Sequence, residues 1–139
     1  MVQNRFEYRF IVALHDIDAA GVIFFGHLFR HAHDVLEAFM GHIGYDLPAI
    51  LEQGQYGLPV VHSEADFFKP IRYGENLCVT AEVARLGHTS FEMAYDFLNG
   101  VGEAVARVRT VHVVVDKTHG KSMALPDGLR SALARFLTK

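Results

Sequence analysis

The sequence predicts an α+β fold in which a curled antiparallel β-sheet wraps around one long central α-helix. Apolar residues recur every three or four positions from Phe25 to the glycines near residue 44, which predicts a helix of about five turns. In several other segments apolar and polar residues alternate, which is typical of half-buried strands. Because one helix cannot cover its own apolar stripe, the strands must form a sheet that packs around it.

The predicted elements follow the order β-α-β-β-β-β-α. The first strand spans residues 5–14, and a short helical piece at residues 48–52 follows the long helix. Asn99 begins the segment NGVG, which predicts a hairpin turn because Asn-Gly tolerates positive φ. Pro126 opens a short amphipathic tail helix. The remaining strands are predicted at residues 60–68, 77–86, 90–98 and 103–115.

Length and composition limit the class of protein. A chain of 139 residues that is half apolar is long enough to bury a substantial core, so we expect residues 1–139 to form a single domain. The net charge of −3 comes without runs of Lys or Arg, which argues against nucleic-acid binding. No apolar run has the length of a membrane span, and the single Cys78 fits a reducing compartment. We expect a cytoplasmic protein that binds neither nucleic acid nor membrane.

Histidines on the long helix raise the possibility of a metal site. His27 and His31 lie four residues apart and Asp34 follows, a spacing that zinc ligands on a helix can adopt. The helical angle predicts that all three side chains point away from the apolar stripe, toward solvent or a partner chain. With no further ligands evident, we predict no metal and no resident cofactor.

The segment HDIDAAGVIFFGHLF, residues 15–29, joins the first strand to the long helix. Asp16 and Asp18 lie two residues apart, so their side chains face different ways and have different roles. Gly21 allows a tight reversal, and the helix that follows offers unpaired N–H groups at its start. A carboxylate beside such donors suits thioester chemistry. The alternative is that both aspartates only cap the turn, and the residues alone favour that alternative.

Two segments resemble the 4-hydroxybenzoyl-CoA thioesterase family of hotdog-fold enzymes. DIDAAGVIFFGHLF, residues 16–29, is similar to the active-site segment of that family, and GLPVVHSEADFFKPIRYGENLCV, residues 57–79, is similar to its second strand and following turn. The resemblance covers about residues 5–115. It implies a hotdog fold, an acyl-CoA substrate, and a homo-oligomer that assembles as a tetramer from two dimers. The resemblance favours a role in thioester chemistry for the aspartate turn over a role in turn capping alone.

The resemblance also implies catalytic residues. Asp18 matches the catalytic carboxylate, which acts as a nucleophile or as a general base, and Asp16 is then its structural partner. Gly21 matches the glycine of the turn. The backbone N–H of Phe25 matches the donor that polarises the thioester carbonyl at the start of the helix.

Substrate-binding residues follow from the same match. His33 takes the place of a helix residue that contacts the aromatic acyl group, where the 4-hydroxybenzoyl enzyme has an aspartate. His62 is a second candidate to meet ring hydroxyls, with the alternative that it is a hydrogen-bonded sheet histidine. The cluster that binds the CoA phosphates, usually from a neighbouring subunit, matches Arg85, Gly87, His88 and Thr89. Only the arginine and the histidine can supply positive charge there.

Finer features favour one branch of the family. Phe25 stands where the short-chain acyl-CoA branch commonly has a histidine, which argues against that branch. GLPVVHSEADFFKP together with HDVLEAF is most similar to the 1,4-dihydroxy-2-naphthoyl-CoA thioesterases of phylloquinone and menaquinone biosynthesis. We therefore expect hydrolysis of 1,4-dihydroxy-2-naphthoyl-CoA to 1,4-dihydroxy-2-naphthoate and CoA. The alternatives are a thioesterase for 4-hydroxybenzoyl-CoA or another acyl-CoA, a non-catalytic acyl-CoA or lipid-binding module, and a dehydratase on the same fold.

Overall fold

The structure, a computed structural model, describes residues 4–138. The helices and strands within that range are numbered in chain order. They are β1 (Phe6–Ile11), α1 (Phe25–His42), α2 (Leu47–Gln53), β2 (Tyr56–Gly57), β3 (Val60–Phe67), β4 (Asn76–Leu86), β5 (Ser90–Leu98), β6 (Ala104–Val113), β7 (Val115–Asp116), β8 (Lys121–Ser122) and α3 (Asp127–Ala134).

Five of these strands form one antiparallel sheet in the order β1-β4-β5-β6-β3. The long helix α1 packs across one face of this sheet and contacts β1, β4 and β6. Its buried apolar stripe is Leu28, Ala32, Val35, Leu36, Phe39 and Met40. The predicted α+β fold, a curled sheet around one long helix, is confirmed.

The central strands β4 and β5 supply the surface that covers α1. In β5, and in β4 from Leu77 to Ala84, buried residues alternate with half-buried ones, because successive side chains on a strand point to opposite faces. The register places large side chains opposite small or slender ones, as in the pairs Ala81 with Tyr95 and Val79 with Phe97. This pairing builds a layered apolar face under the helix.

The last predicted strand is divided in two in the structure. β6 ends at Val113, and the buried Val114 donates its N–H to the carbonyl of Thr89, 2.9 Å away. The chain then joins a small second sheet with the order β2-β7-β8. Strands of two residues carry too little alternation to be recognised in a sequence, so this sheet was not predicted.

The first strand also ends earlier than predicted. It stops at Ile11, and a 3-10 turn follows at Leu14–Asp16, closed by a hydrogen bond of 2.9 Å from the Ala13 N–H to Asp16 Oδ2. The predicted hairpin turn at residues 99–102 is present. Asn99 Oδ1 accepts hydrogen bonds from the N–H groups of Val101 and Glu103 there.

The edge strand β3 determines where a site can form. It pairs with β6 on one side, and seven of its eight residues are exposed. Its carboxyl end lies beside the start of α1, since residues from both segments line one cleft. None of the helices within residues 4–138 is long and apolar enough to cross a membrane.

Candidate active site

The turn that carries Asp18 is held by its own backbone. The Asp18 N–H donates to Val22 O at 2.9 Å, and the Gly21 N–H donates to Asp18 O at 3.0 Å. Gly21 has a φ of 83°, in the left-handed region that a residue with a side chain adopts only with strain. The Ala20 N–H donates to Asp18 Oδ1 at 2.8 Å. One carboxylate oxygen of Asp18 thus caps the turn, as the alternative interpretation requires.

The second oxygen of Asp18 is available for chemistry. Among residues 4–138, Oδ2 has no hydrogen-bond partner, and Asp18 lies in the wall of a cleft of about 420 Å³. The other residues of the wall are mostly apolar, and they come from the loop before α1, from the first turn of α1 and from the end of β3: Val22, Ile23, Phe25, Phe67, Phe68, Lys69, Pro70 and Ile71. A capping role and a role in the cleft are therefore compatible for one carboxylate.

The first residue of α1, Phe25, lines the same cleft. Phe24 is the N-cap, and its side chain cannot accept a hydrogen bond from the first turn. The Phe25 N–H at the first helical position has no acceptor within the helix, and the helix dipole adds partial positive charge there. A Cβ at Gly26 would lie 2.8 Å from the Phe24 ring, so a larger residue there would require this exposed ring to shift.

A fully buried carboxylate, Asp16, ties the turn to the helix. Its oxygens accept hydrogen bonds from the Ala13 N–H at 2.9 Å and from Arg30 at 2.7 Å, and one oxygen lies 3.0 Å from His31 Nε2. His27 Nδ1 lies 3.5 Å from the same carboxylate. Burial opposes ionisation of Asp16, but its hydrogen bonds and the nearby His31 and Arg30 outweigh that cost and hold its pKa below the ordinary value.

This arrangement corrects one prediction about the helix. His31 does not face solvent, as its helical angle suggested; it is 7% exposed, contacts Asp16 and stacks on Phe10 with ring centroids 4.0 Å apart. The turn before α1 and strand β1 cover that side of the helix. Within the described part of the chain, no group of three or more side chains is placed to hold a metal ion.

The two predicted substrate-binding histidines lie on different surfaces of the protomer. His33 is two helical turns, about 12 Å, beyond Phe25 and lines a cavity of about 140 Å³ between α1 and the sheet. His62 is on β3, where its Nε2 lies 3.0 Å from Glu64 Oε1. Ser63, the next residue, lines the cavity, so His62 points to the opposite face of the strand. One protomer does not bring the two histidines together.

The predicted CoA-binding residues Arg85, Gly87, His88 and Thr89 lie in and beside the β4–β5 hairpin. Asp18 shares a cleft with Phe67, which pairs with Ala106 near the start of β6. The hairpin lies at the other end of the sheet, where Ser90 pairs with Val113 at the end of β6. The Arg130 side chain donates to the carbonyls of Gly87 and His88, at 2.7 and 3.1 Å, and holds the hairpin against α3. Within one protomer these residues are separate from the Asp18 cleft.

Some residues of the site had no role in the sequence prediction. Arg30 neutralises the buried Asp16, and Phe67 and Phe68 form part of the cleft wall. The two phenylalanines did give a signal, because adjacent aromatics at the end of a strand break the alternation of apolar and polar residues. Arg30 gave none, since an arginine on a helix is ordinarily a solvent-exposed residue.

A curled sheet around one long helix, with an aspartate turn just before the amino end of that helix, is the architecture of the hotdog fold. Residues 12–133 match the family model of the Thioesterase-like superfamily. This chain belongs to that superfamily.

Individual relatives narrow the comparison. The 1,4-dihydroxy-2-naphthoyl-CoA hydrolase of Gloeothece citriformis is 33% identical over 133 residues, which is 94% of this chain and 93% of that protein. The 1,4-dihydroxy-2-naphthoyl-CoA hydrolase of Thermosynechococcus vestitus is 31% identical over 88% of this chain and 84% of that protein. The crystal structure of a 1,4-dihydroxy-2-naphthoyl-CoA thioesterase from Synechocystis superimposes with a TM-score of 0.88 at 28% identity, covering 94% of this chain and 96% of that one.

The buried carboxylate yields a prediction about stability. Asp16→Asn removes the charge that Arg30 and His31 face, so the free energy of unfolding at about pH 7 should fall by roughly 1.5–3 kcal/mol. The pKa of Asp16 is lowered in the folded protein, so its contribution is complete above the ordinary value of 3.8 and disappears as the pH falls through the lowered value. Urea titrations of both proteins should therefore converge in acid.

Asp34→Asn is the matched control. Asp34 also pairs with Arg30, at 3.6 Å, but its side chain is 43% exposed, so its loss should cost less than about 1 kcal/mol. An equal cost for the two substitutions, or a difference at Asp16 that does not depend on pH, would contradict the role given to the buried carboxylate.

Proposed function

We propose that this protein hydrolyses an aromatic acyl-CoA thioester, with 1,4-dihydroxy-2-naphthoyl-CoA as substrate and 1,4-dihydroxy-2-naphthoate and CoA as products. The observation that carries the proposal is that Asp18, whose Oδ2 has no hydrogen-bond partner within the described residues, lines the same apolar cleft as Phe25, the first residue of α1. The relatives named 1,4-dihydroxy-2-naphthoyl-CoA hydrolase match most of this chain, and they support the choice of acyl group. The reaction belongs to phylloquinone or menaquinone biosynthesis.

The mechanism divides the work between the two groups. The Phe25 N–H donates to the thioester carbonyl oxygen and stabilises the negative charge that develops on it. Asp18 Oδ2 either attacks the carbonyl carbon or removes a proton from a water that attacks it. The C–S bond breaks, CoA leaves as a thiolate that takes up a proton, and the acyl group leaves as a carboxylate. Both routes consume one water and need no metal or added cofactor.

Position is the main contribution of the fold to this reaction. The hydrogen bond from Ala20 fixes Oδ1 of Asp18 and so directs Oδ2, while Asp16 holds the turn against α1. The Phe25 N–H is fixed by the helix, so it needs no reorganisation as the charge on the carbonyl oxygen develops. We also place the protein in the cytoplasm, where the free Cys78 stays reduced.

Two substitutions at one position separate catalysis from turn capping. Asp18→Asn keeps an oxygen that accepts from the Ala20 N–H but removes the negative charge and the nucleophile or base. We expect its kcat for release of CoA thiol to fall by about 10²–10⁴ while its melting temperature stays near that of wild type. Asp18→Ala should lose the same activity and, in addition, the stability of the capped turn.

The thiol-release assay with a disulfide reagent and a thermal melt give both readouts. Wild-type turnover by Asp18→Asn, with loss only in Asp18→Ala, would mean that the carboxylate is a cap and that the catalytic proposal fails.

A substrate panel tests the acyl group. We expect kcat/KM for 1,4-dihydroxy-2-naphthoyl-CoA to exceed that for 4-hydroxybenzoyl-CoA, because the larger ring system buries more apolar area in the cleft. Short aliphatic CoA esters should be the poorest substrates. The measurement is the rate of thiol release for each ester at matched enzyme concentration, and faster turnover of the aliphatic esters would reject an aromatic substrate.

The edge strand supports a homo-oligomer. An exposed edge offers unpaired backbone groups to a second strand, and soluble proteins normally protect such edges. On β3 and the residue after it, several large apolar side chains are also exposed: Val60 at 43%, Val61 at 58%, Phe67 at 45% and Phe68 at 56%. We propose that two protomers pair through β3 in antiparallel orientation about a twofold axis.

This pairing also accounts for the distance between Asp18 and the predicted CoA-binding hairpin. Asp18 lies near the carboxyl end of β3 and the β4–β5 hairpin near its amino end. In an antiparallel pair, the carboxyl end of one β3 lies beside the amino end of the other. The hairpin of the partner subunit would thus approach the cleft of the first protomer, and Arg85 and His88 would be the positive groups it supplies. Association of two such dimers into a tetramer is part of the same proposal.

Sedimentation over a dilution series tests the assembly. We expect an oligomer for wild type and dissociation for Val61→Lys, because a lysine on an edge strand opposes pairing with a second strand. Val101→Lys is the control, since Val101 lies in the β5–β6 turn with 80% exposure and should leave the assembly intact. A wild-type monomer with full activity would exclude a site shared between protomers.

A further inference from the structure

The cavity beside His33 contains a buried polar chain that the proposed mechanism does not use. The cavity, about 140 Å³ in volume, lies between α1 and the sheet, and apolar side chains such as Phe29 and Leu36 form much of its wall. Into this wall the sheet places Tyr95 of β5 and Thr110 and His112 of β6. Buried polar side chains in an apolar cavity either serve the structure alone or orient a ligand.

The three side chains form a continuous hydrogen-bonded series. Tyr95 Oη lies 3.1 Å from Thr110 Oγ1, and Thr110 Oγ1 lies 2.9 Å from His112 Nε2. His112 Nδ1 lies 3.2 Å from the carbonyl oxygen of Leu58. Tyr95 and His112 have no exposed surface, while Thr110 keeps 9%. All three residues line the cavity, and Thr110 is the one that retains exposed surface.

The direction of every hydrogen bond in the series follows from its last member. A carbonyl oxygen can only accept, so His112 Nδ1 carries the proton that binds Leu58. Burial lowers the pKa of His112, so the ring is neutral and Nε2 is an acceptor. Thr110 must then donate to His112, and its oxygen is the acceptor for the Tyr95 hydroxyl.

These hydrogen-bond directions restrict which ligand groups can bind at Thr110. The only hydroxyl proton of Thr110 is used on His112, so a further hydrogen bond at Thr110 Oγ1 requires a donor from the ligand. An ether or a carbonyl oxygen at this point would face a lone pair and lose its hydrogen bond to water without a replacement. A phenolic hydroxyl fits both the donor requirement and the apolar wall.

We propose that this cavity selects a hydroxyl-bearing aromatic acyl group, with Thr110 Oγ1 accepting from the ring hydroxyl and with Tyr95 and His112 as positioning residues. The inference rests on the proposed function and identifies the group that distinguishes one acyl-CoA from another. The cavity volume, about 140 Å³, is close to the roughly 150 Å³ of an engineered protein cavity that binds benzene, so the cavity accommodates one ring of the acyl group. Phe29, at the near edge of the cavity, lies one helical turn, about 6 Å, beyond Phe25 on α1, and the proposal places the acyl group across that distance.

Three esters test the selectivity in wild type: 4-hydroxy-2-naphthoyl-CoA, its 4-methoxy ether and unsubstituted 2-naphthoyl-CoA. We expect kcat/KM for the hydroxyl compound to exceed that for each of the others by about tenfold, the value of one hydrogen bond. Equal values for the hydroxyl and unsubstituted esters would overturn the proposal without any variant. The ether can accept but not donate, so equal values for the hydroxyl and methoxy esters would overturn the donor requirement.

Variants assign the preference to Thr110. Thr110→Val keeps the shape of the side chain but removes its oxygen, and the ratio of kcat/KM between hydroxyl and unsubstituted esters should fall toward one. Thr110→Ser restores the oxygen and should restore the ratio. Thr80→Val is the control, because it makes the same substitution at a half-buried position on β4, between the buried Val79 and Ala81. This variant should leave the ratio of kcat/KM unchanged. A ratio unchanged in Thr110→Val, with folding verified by circular dichroism, would overturn the assignment.

A binding measurement separates this inference from the proposed function. Calorimetry of Asp18→Asn with 4-hydroxy-2-naphthoate and with 2-naphthoate reports the preference without hydrolysis. If wild type cleaves none of the esters but the hydroxylated acid binds about tenfold tighter, the proposed function fails and the cavity assignment stands. If wild type cleaves all three esters equally and the acids bind equally, the cavity assignment fails and the proposed function stands.

Discussion

The buried carboxylate of Asp16 is the interaction on which the geometry of the site depends. A charge without solvent exposure must be paired and hydrogen-bonded, and here the partners come from the turn after β1 and from α1. The backbone carbonyl of Asp16 also accepts from the Phe24 N–H, 2.8 Å away, at the N-cap of α1. The strand, the turn and the start of the helix are therefore joined at one residue, which keeps the Asp18 carboxylate and the Phe25 N–H in a constant relation.

Two aspartates separated by one residue have opposite environments, and this difference defines their roles. Asp16 is enclosed, and both of its oxygens have partners that hold its pKa down and leave it no access to a substrate. Asp18 lines an apolar cleft, and its Oδ1 accepts from the Ala20 N–H while its Oδ2 has no partner within the described residues. Asp18 does cap the turn, as residue chemistry alone favoured, but the cap uses only Oδ1 and orients the carboxylate.

The groove between α1 and β3 contains the rest of the chemistry. The Asp18 cleft lies at the start of α1, and the near edge of the cavity with the Tyr95, Thr110 and His112 series is about one helical turn further along the helix, at Phe29. The strand on the open side of the groove is the exposed edge of the sheet. The same exposure that leaves the groove accessible also leaves a surface for a second protomer, so substrate binding and assembly involve the same strand.

The sequence by itself determined the central helix, the strands β4 and β5 and the aspartate turn, because periodicity and turn residues act between near neighbours. The predicted strand at residues 90–98 and the helix starting at Phe25 agree with the structure at those bounds. Only the tertiary structure decided that His31 is buried against Asp16, that His33 and His62 lie on opposite sides of β3, and that Thr110 lines a cavity. These facts depend on which distant segments pack together and on the direction of individual hydrogen bonds, which no local pattern encodes.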